Sequence, residues 1–158
     1  MIHRLAILLS ALWIGLAFGA DLPTWLRPDP ALTPGVADPA LTAEVLCAKK
    51  FTTRDVRNVT SAMKREVYER YGMKNHAGAC ARSKRGCEID HLISLELGGK
   101  NDVENLWSEP FGKPWGAEKK DALENRLHKL ICAGELDLAE AQRCIATDWI
   151  ECYRNHMK

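Results

Sequence analysis

The chain has 158 residues, 46% of them apolar and 27% charged, with 22 Lys/Arg against 21 Asp/Glu. That balance excludes a uniformly basic nucleic-acid binder, and the length suits one domain with a modest core. The charge is nonetheless uneven: 48–86 holds eleven Lys/Arg against three acids, whereas 87–158 holds nine against fourteen. One basic block beside an acidic one suits a phosphate backbone and a cation, respectively.

At the N-terminus, Met1–Arg4 is short and basic, Leu5–Phe18 is uncharged and apolar, and Gly19-Ala20 precedes Asp21. This is the layout of a cleavable signal peptide over 1–20. The apolar run falls short of the ~20 residues that span a bilayer. The expectation is a periplasmic or secreted protein with no membrane association after cleavage. All six cysteines (Cys47, Cys80, Cys87, Cys132, Cys144, Cys152) lie beyond that segment, and an even count in an exported chain predicts disulfides. The expected pairs are Cys80–Cys87, Cys132–Cys144 and Cys47–Cys152. No C-x-x-C knuckle is present, which argues against structural zinc.

Residues 21–46 carry Pro23, Pro28, Pro30, Pro34 and Pro39 and read as an extended arm before a domain over 47–158. A short strand and turn are expected over Lys49–Val59. Met63, Val67 and Tyr71 recur at helical spacing, so Ser61–Tyr71 is a predicted helix stopped by Gly72. Lys74–Gly86 is a polar, basic loop. Ile89, Ile93, Leu95 and Leu97 alternate, which predicts a strand over Glu88–Leu97. Gly98–Asp102 is a turn, Asn105-Leu106-Trp107 starts a return strand, and Ser108–Gly116 is loop. Ala117–Cys132 is a predicted helix with a Leu123/Leu127/Leu130/Ile131 stripe, ended by Gly134. Asp137 with Glu140 caps a last helix to about Glu151. Trp25, Trp107, Trp115 and Trp149 read as packing residues.

Strand, turn, strand, loop and helix follow one another with Asp90-His91 on the first strand, Asn105 at the second, and Asp121, Asn125 and His128 on the helix. The stretch EIDHLISLELGGKNDVENLW resembles the hairpin of the HNH, or ββα-metal, endonucleases, which runs DH-x-x-x-L-x-x-GG-x-N/D-x-x-x-NL. The surrounding ALTPG, ENRLHKLICAGEL and AEAQRCIATDW segments are similar to a family of small exported bacterial HNH-like proteins. The resemblance implies an α+β fold: a small ββα-metal core with a preceding helix and a C-terminal helical hairpin. It also implies a divalent-metal-dependent endonuclease with little sequence specificity, acting on nucleic acid, DNA rather than RNA. In that reading His91 is the general base, Asn105 holds the loop around it, and Asp90 is a hard oxygen ligand for a divalent ion such as Mg²⁺. Arg82, Lys84 and Arg85 would contact phosphate.

The helix ligand is less defined, since the family's usual position falls on Pro114. With Leu123 at 0°, Asp121, Asn125 and His128 fall near about 160°, 200° and 140°, opposite the leucine stripe. Asn125 and His128, three residues apart, are the expected pair, Asp121 reads as solvated, and Glu88 and Glu96 are the fallback acids. The alternative function is a disulfide-stapled scaffold of the same fold that binds without turnover. Two adjacent strand residues point to opposite faces, so Asp90 and His91 share one site only if the chain bends there.

Overall fold

The computed structural model describes residues 22–73, 85–112 and 114–158. Residues 1–20, expected as a signal peptide, and Cys80, Arg82 and Lys84 lie outside the described residues. Five prolines let the first segment form nothing longer than a 3-10 turn at Thr24–Leu26. The segment is extended, but it is laid onto the domain. Leu26 and Thr33 are buried, Thr33 Oγ1 donates to Leu106 O at 2.9 Å, and Ala37 bridges to Gly99. It ends in a helical turn, α1 (Ala43–Leu46), capped by Thr42.

No strand forms over 49–59. Thr53–Val56 is instead a helical turn, α2, where Thr52 donates to Asp55 Oδ2 at 2.8 Å. A short polar side chain bonded three residues on favours a turn over an extended ladder. Helix α3 (Ser61–Arg70) follows, with Thr60 accepting from Met63 N and Tyr71 at its end. Its expected length is met, because cap, periodicity and stop coincide.

The hairpin differs from its expected form. Strand β1 covers Cys87–His91 and pairs antiparallel with β2 (Leu106–Pro110), in the register Ile89↔Ser108 and His91↔Leu106. The predicted strand to Leu97 stops at His91, and Leu95–Leu97 is a 3-10 turn. Alternation misled because Ile89 and Ile93 serve different cores: Ile89 packs with Val67 and Leu106, while Ile93 and Leu97 join the main cluster. β2 also runs further than expected, into the region read as loop. Gly98 takes φ +75°, and a Cβ on Gly99 would lie 1.7 Å from Ile93 O, so this turn requires its glycines.

Helix α4 (Ala117–Cys132) matches its predicted bounds. Gly134 N donates to Ile131 O and Glu135 N to Leu130 O, with Gly134 at φ +72°. Helix α5 (Leu138–His156) is capped by Asp137 and runs past Glu151. It packs against α4, and Leu123, Leu127, Ile131, Ile145, Trp149 and Ile150 form the main core. Trp115 meets Trp149 and Tyr153 edge-on at 5.9 and 5.5 Å between centroids. The fold is α+β, a two-stranded antiparallel sheet with five α-helices among the described residues. No helix among them is long and apolar enough to cross a membrane.

The cysteine pairing corrects two expectations. Cys47 bonds Cys132 and Cys144 bonds Cys152, each with Cα atoms 5.4 Å apart, in place of Cys132–Cys144 and Cys47–Cys152. Cys87 is also disulfide-bonded, while its expected partner Cys80 lies outside the described residues. Eight residues along a straight helix would separate Cys144 and Cys152 by about 12 Å. They meet because α5 breaks at Asp148, at φ −158° and ψ 97°. There Asp148 Oδ1 accepts from Ile150 N and Glu151 N, recapping the second half. The disulfides fit an oxidising environment.

Candidate functional site

β1 ends at His91 because its peptide partners run out. Leu92 N still donates to Asn105 O at 2.7 Å, but the Asn105 side chain then replaces a strand. Its Oδ1 accepts from Ile93 N (3.0 Å) and Val36 N (3.3 Å). Its Nδ2 donates to Ile93 O and Lys100 O, both at 3.0 Å. The chain therefore bends straight after Asp90-His91, as a shared site for the two requires.

The bend opens a polar cleft of about 460 Å³. Arg57 stands on its α2 side, Glu88, Asp90 and His91 come from β1, Ser94 and Glu96 from the bend, and Asp121, Glu124 and Asn125 from α4. His91 is 1% exposed. Its Nε2 lies 3.2 Å from Asn101 Oδ1, and that amide is oriented because Asn101 Nδ2 donates to Val56 O at 2.8 Å. The oxygen only accepts, so His91 Nε2 carries the proton and donates. In the neutral ring Nδ1 is then the basic nitrogen. Nδ1 stands 3.7 Å from Asp90 Oδ1.

Beneath Asp90 lies a second charged layer. Lys120, 0% exposed, stands 3.6 Å from Asp90 Oδ2 and 3.5 Å from Glu109 Oε2. It also pairs closely with Glu124. Burial works to raise the Asp90 carboxyl, but the His91 ring in its protonated form, donating from Nδ1, and the Lys120 charge outweigh it and hold Asp90 well below the usual carboxylate range. Burial raises Glu109 well above that range, and pushes Glu124 up to about 8 against the pull of Lys120. Burial depresses Lys120, yet Glu109, Glu124 and Asp90 more than restore it, so it stays charged. In the outer cleft, burial and then the Asp90 charge raise both Glu88 and Asp121. Burial raises Glu96, with His128 opposing. These acids repel one another across the cleft. Ser94 Oγ, on a residue 6% exposed, has no hydrogen-bond partner among the described residues. Hard oxygen donors with an unused hydroxyl suit a divalent cation.

Of the expected metal residues, Asp90 and Asn125 line this cleft and His128 does not. His128 Nε2 lies 3.3 Å from Leu46 O and 3.5 Å from Cys132 Sγ, and its Nδ1 is 4.0 Å from Glu96 Oε2. Asn125 Nδ2 donates to Asp121 O. Asp121, read from sequence as solvated, shares the cleft with both fallback acids, Glu88 and Glu96. The groups of His, Cys and acid atoms that converge within 4.8 Å among the described residues are Cys47/His128/Cys132 and Cys144/Cys152/His156. Both contain a disulfide, whose sulfurs lack the charge of a thiolate ligand. Arg85 pairs with Glu118 at 3.1 Å on the surface.

Sequence reasoning missed Asn101, Lys120, Glu109, Glu124 and Arg57. Lys120 carried a usable signal: at 100° per residue it falls about 60° from Leu123, inside the buried arc, and Glu124 follows it by one turn. Asn101 carried none beyond its place in a turn. The chain matches no family model, no curated protein and no solved structure.

Proposed function

We propose that the cleft is the active site of a divalent-metal-dependent endonuclease of the HNH type, hydrolysing phosphodiester bonds with little sequence specificity. The observation that carries this reading is the His91 ring. Its Nε2 proton is held by Asn101 and its Nδ1 faces Asp90 at the cleft, the arrangement of a base aimed at a water. Asp90 through Oδ1 and Asn125, with Asp121 beside them, would hold the ion. A bound Mg²⁺ or similar cation supplies charge neutralisation at the phosphate and the leaving oxygen. His91 Nδ1 takes the proton of the attacking water, and Asn101 keeps the ring from turning as that proton arrives. Arg57, 52% exposed and 3.9 Å from Asp90, supplies a guanidinium that pairs with a phosphate entering the cleft. The substrate is nucleic acid, DNA rather than RNA, and the protein works in the periplasm or outside the cell. Contacts to phosphate alone carry little sequence preference.

A binding scaffold without turnover is the second reading, favoured by the near-complete burial of His91. Plasmid nicking by the oxidised protein separates the two. Mg²⁺- or Mn²⁺-dependent nicking, abolished by chelator and by His91→Ala, is the expected result. Equal nicking by wild type and His91→Ala, or none by either, removes the nuclease reading.

A further inference from the structure

Lys120 opens α4 but, unlike most lysines, has no path to water: its side chain is 0% exposed. The ammonium donates to His91 O at 2.7 Å and to Glu124 Oε1. It stands 3.6 Å from Asp90 Oδ2 and 3.5 Å from Glu109 Oε2. Four oxygens from β1, β2 and α4 thus surround one nitrogen. Only His91 O and Glu124 Oε1 take its hydrogen bonds, Asp90 and Glu109 face it at ion-pair distance, and the second Glu109 oxygen, Oε1, is buried with no partner among the described residues. An ammonium placed only to neutralise one carboxylate needs one partner. A shell richer in oxygen than its ammonium can satisfy is the environment of a coordinated cation.

We infer that Asp90, Glu109, Glu124 and the His91 carbonyl form a cation cage, distinct from the outer cleft, whose resident cation is the Lys120 ammonium. Lys120 is thereby a positioning residue for the Asp90-His91 pair. It draws Asp90 Oδ2 inward, which leaves Oδ1 toward His91 Nδ1 and Arg57, and it anchors the peptide at which β1 ends. Asp90 is shared between a built-in cation beneath it and the open cleft above. The cage goes beyond the nuclease reading, for it stands whether or not the cleft turns over a substrate.

Chemical rescue in metal-free buffer tests this. Lys120→Ala removes a side chain that n-propylammonium replaces atom for atom. The variant should melt on the order of 10 °C below wild type, as loss of one partner in a buried charged cluster does. Propylammonium should restore at least half of that difference and return the His91 Nε2–H resonance seen by NMR. Tetramethylammonium, which carries the charge without N–H donors, should restore neither, and wild type and Lys120→Met should not respond to propylammonium. A Lys120→Met protein melting with wild type overturns the cage, as does propylammonium acting equally on wild type and Lys120→Ala. Should Lys120→Ala fail to fold, a cycle of Lys120→Met, Glu124→Gln and the double variant decides. The double variant should lose less than the sum of the singles, and strict additivity overturns the inference. No arm uses a metal or a cleavage assay, so failure of the nuclease reading leaves this result intact.

Discussion

Asn105 pairs with Ile93 as a neighbouring strand would: Oδ1 accepts from Ile93 N and Nδ2 donates to Ile93 O, both at 3.0 Å. One side-chain amide thus ends β1 and fixes the bend that brings Asp90 and His91 to one cleft. Replacing it by alanine leaves the buried N–H and C=O of Ile93, and the part-buried groups of Val36 and Lys100, without this partner. Asn105→Ala should cost at least about 3 kcal/mol in denaturant unfolding, and Asn105→Asp should also destabilise, because a carboxylate cannot donate to two carbonyls. A loss under about 1 kcal/mol for Asn105→Ala would mean the bend is held elsewhere.

Asn101 should matter to rate rather than to fold. It is the sole polar contact fixing His91 Nε2 among the described residues, so Asn101→Ala frees the ring without removing the base. Nicking should fall by roughly 10- to 100-fold, less than the roughly 100- to 10,000-fold expected for His91→Ala. Because Asn101 also meets Val56 O and Asn58 N, melting of the variant must be measured alongside. A rate unchanged in a folded Asn101→Ala protein would show that the ring needs no such anchor.

Metal affinity should follow the cleft. Calorimetric titration of Mn²⁺ should weaken for Asp90→Ala and Asn125→Ala, weaken also for Asp121→Ala, and hold near wild type for His128→Ala. The sequence pattern pairs His128 with Asn125 as ligands, whereas His128 faces Leu46 O and the Cys47–Cys132 disulfide. The largest loss in His128→Ala would return His128 to the ligand set.

Two of the disulfides should contribute unequally. Cys47–Cys132 spans 85 residues and Cys144–Cys152 only 8. In the chain-entropy account, opening the first should cost about 4–5 kcal/mol and the second about 2–3 kcal/mol. Denaturant melts of the paired Cys→Ala variants measure both, and intact mass before and after reduction counts the bonds. Equal losses would place the stabilisation in local contacts instead of loop closure.

Acid should loosen the N-terminal segment first at Asp148. Burial alone would raise this carboxyl, but hydrogen bonds from Arg27, Glu151 N and Ile150 N lower it below its ordinary 3.8. A carboxyl with a depressed folded value adds stability above 3.8, and that stability is lost as pH falls through the folded value. The window therefore lies below about pH 4. Between pH 5 and pH 3, Arg27→Ala should lose less stability than wild type, since the linkage is already absent. Parallel pH profiles for the two proteins would show that the Arg27–Asp148 pair, 2.9 Å apart, contributes nothing.

Local chemistry alone determined much of this protein. Thr60 with Gly72, Gly116 with Gly134 and Asp137 with Glu140 mark helix ends because caps and stops act within one turn. The leucine stripe of α4 is legible because burial imposes a period of 3.6. Asp90, His91 and Asn105 were grouped by the resemblance of one hairpin to the HNH pattern. What tertiary structure decided lies in contacts between segments far apart in sequence. Alternation along 88–97 could not reveal that Ile89 and Ile93 face separate cores, nor that an asparagine side chain replaces a strand. Cysteine spacing could not give the pairing, because Cys144 and Cys152 approach only through the Asp148 break, which is stabilised by Arg27 from 121 residues away. Glu109 is an ordinary charge in the sequence, and Lys120 and Glu124 are marked there only by their helical positions on α4. They become a buried cluster only when α4 is set against the β1–β2 hairpin, since a charge inside a protein is held by partners that no local pattern encodes.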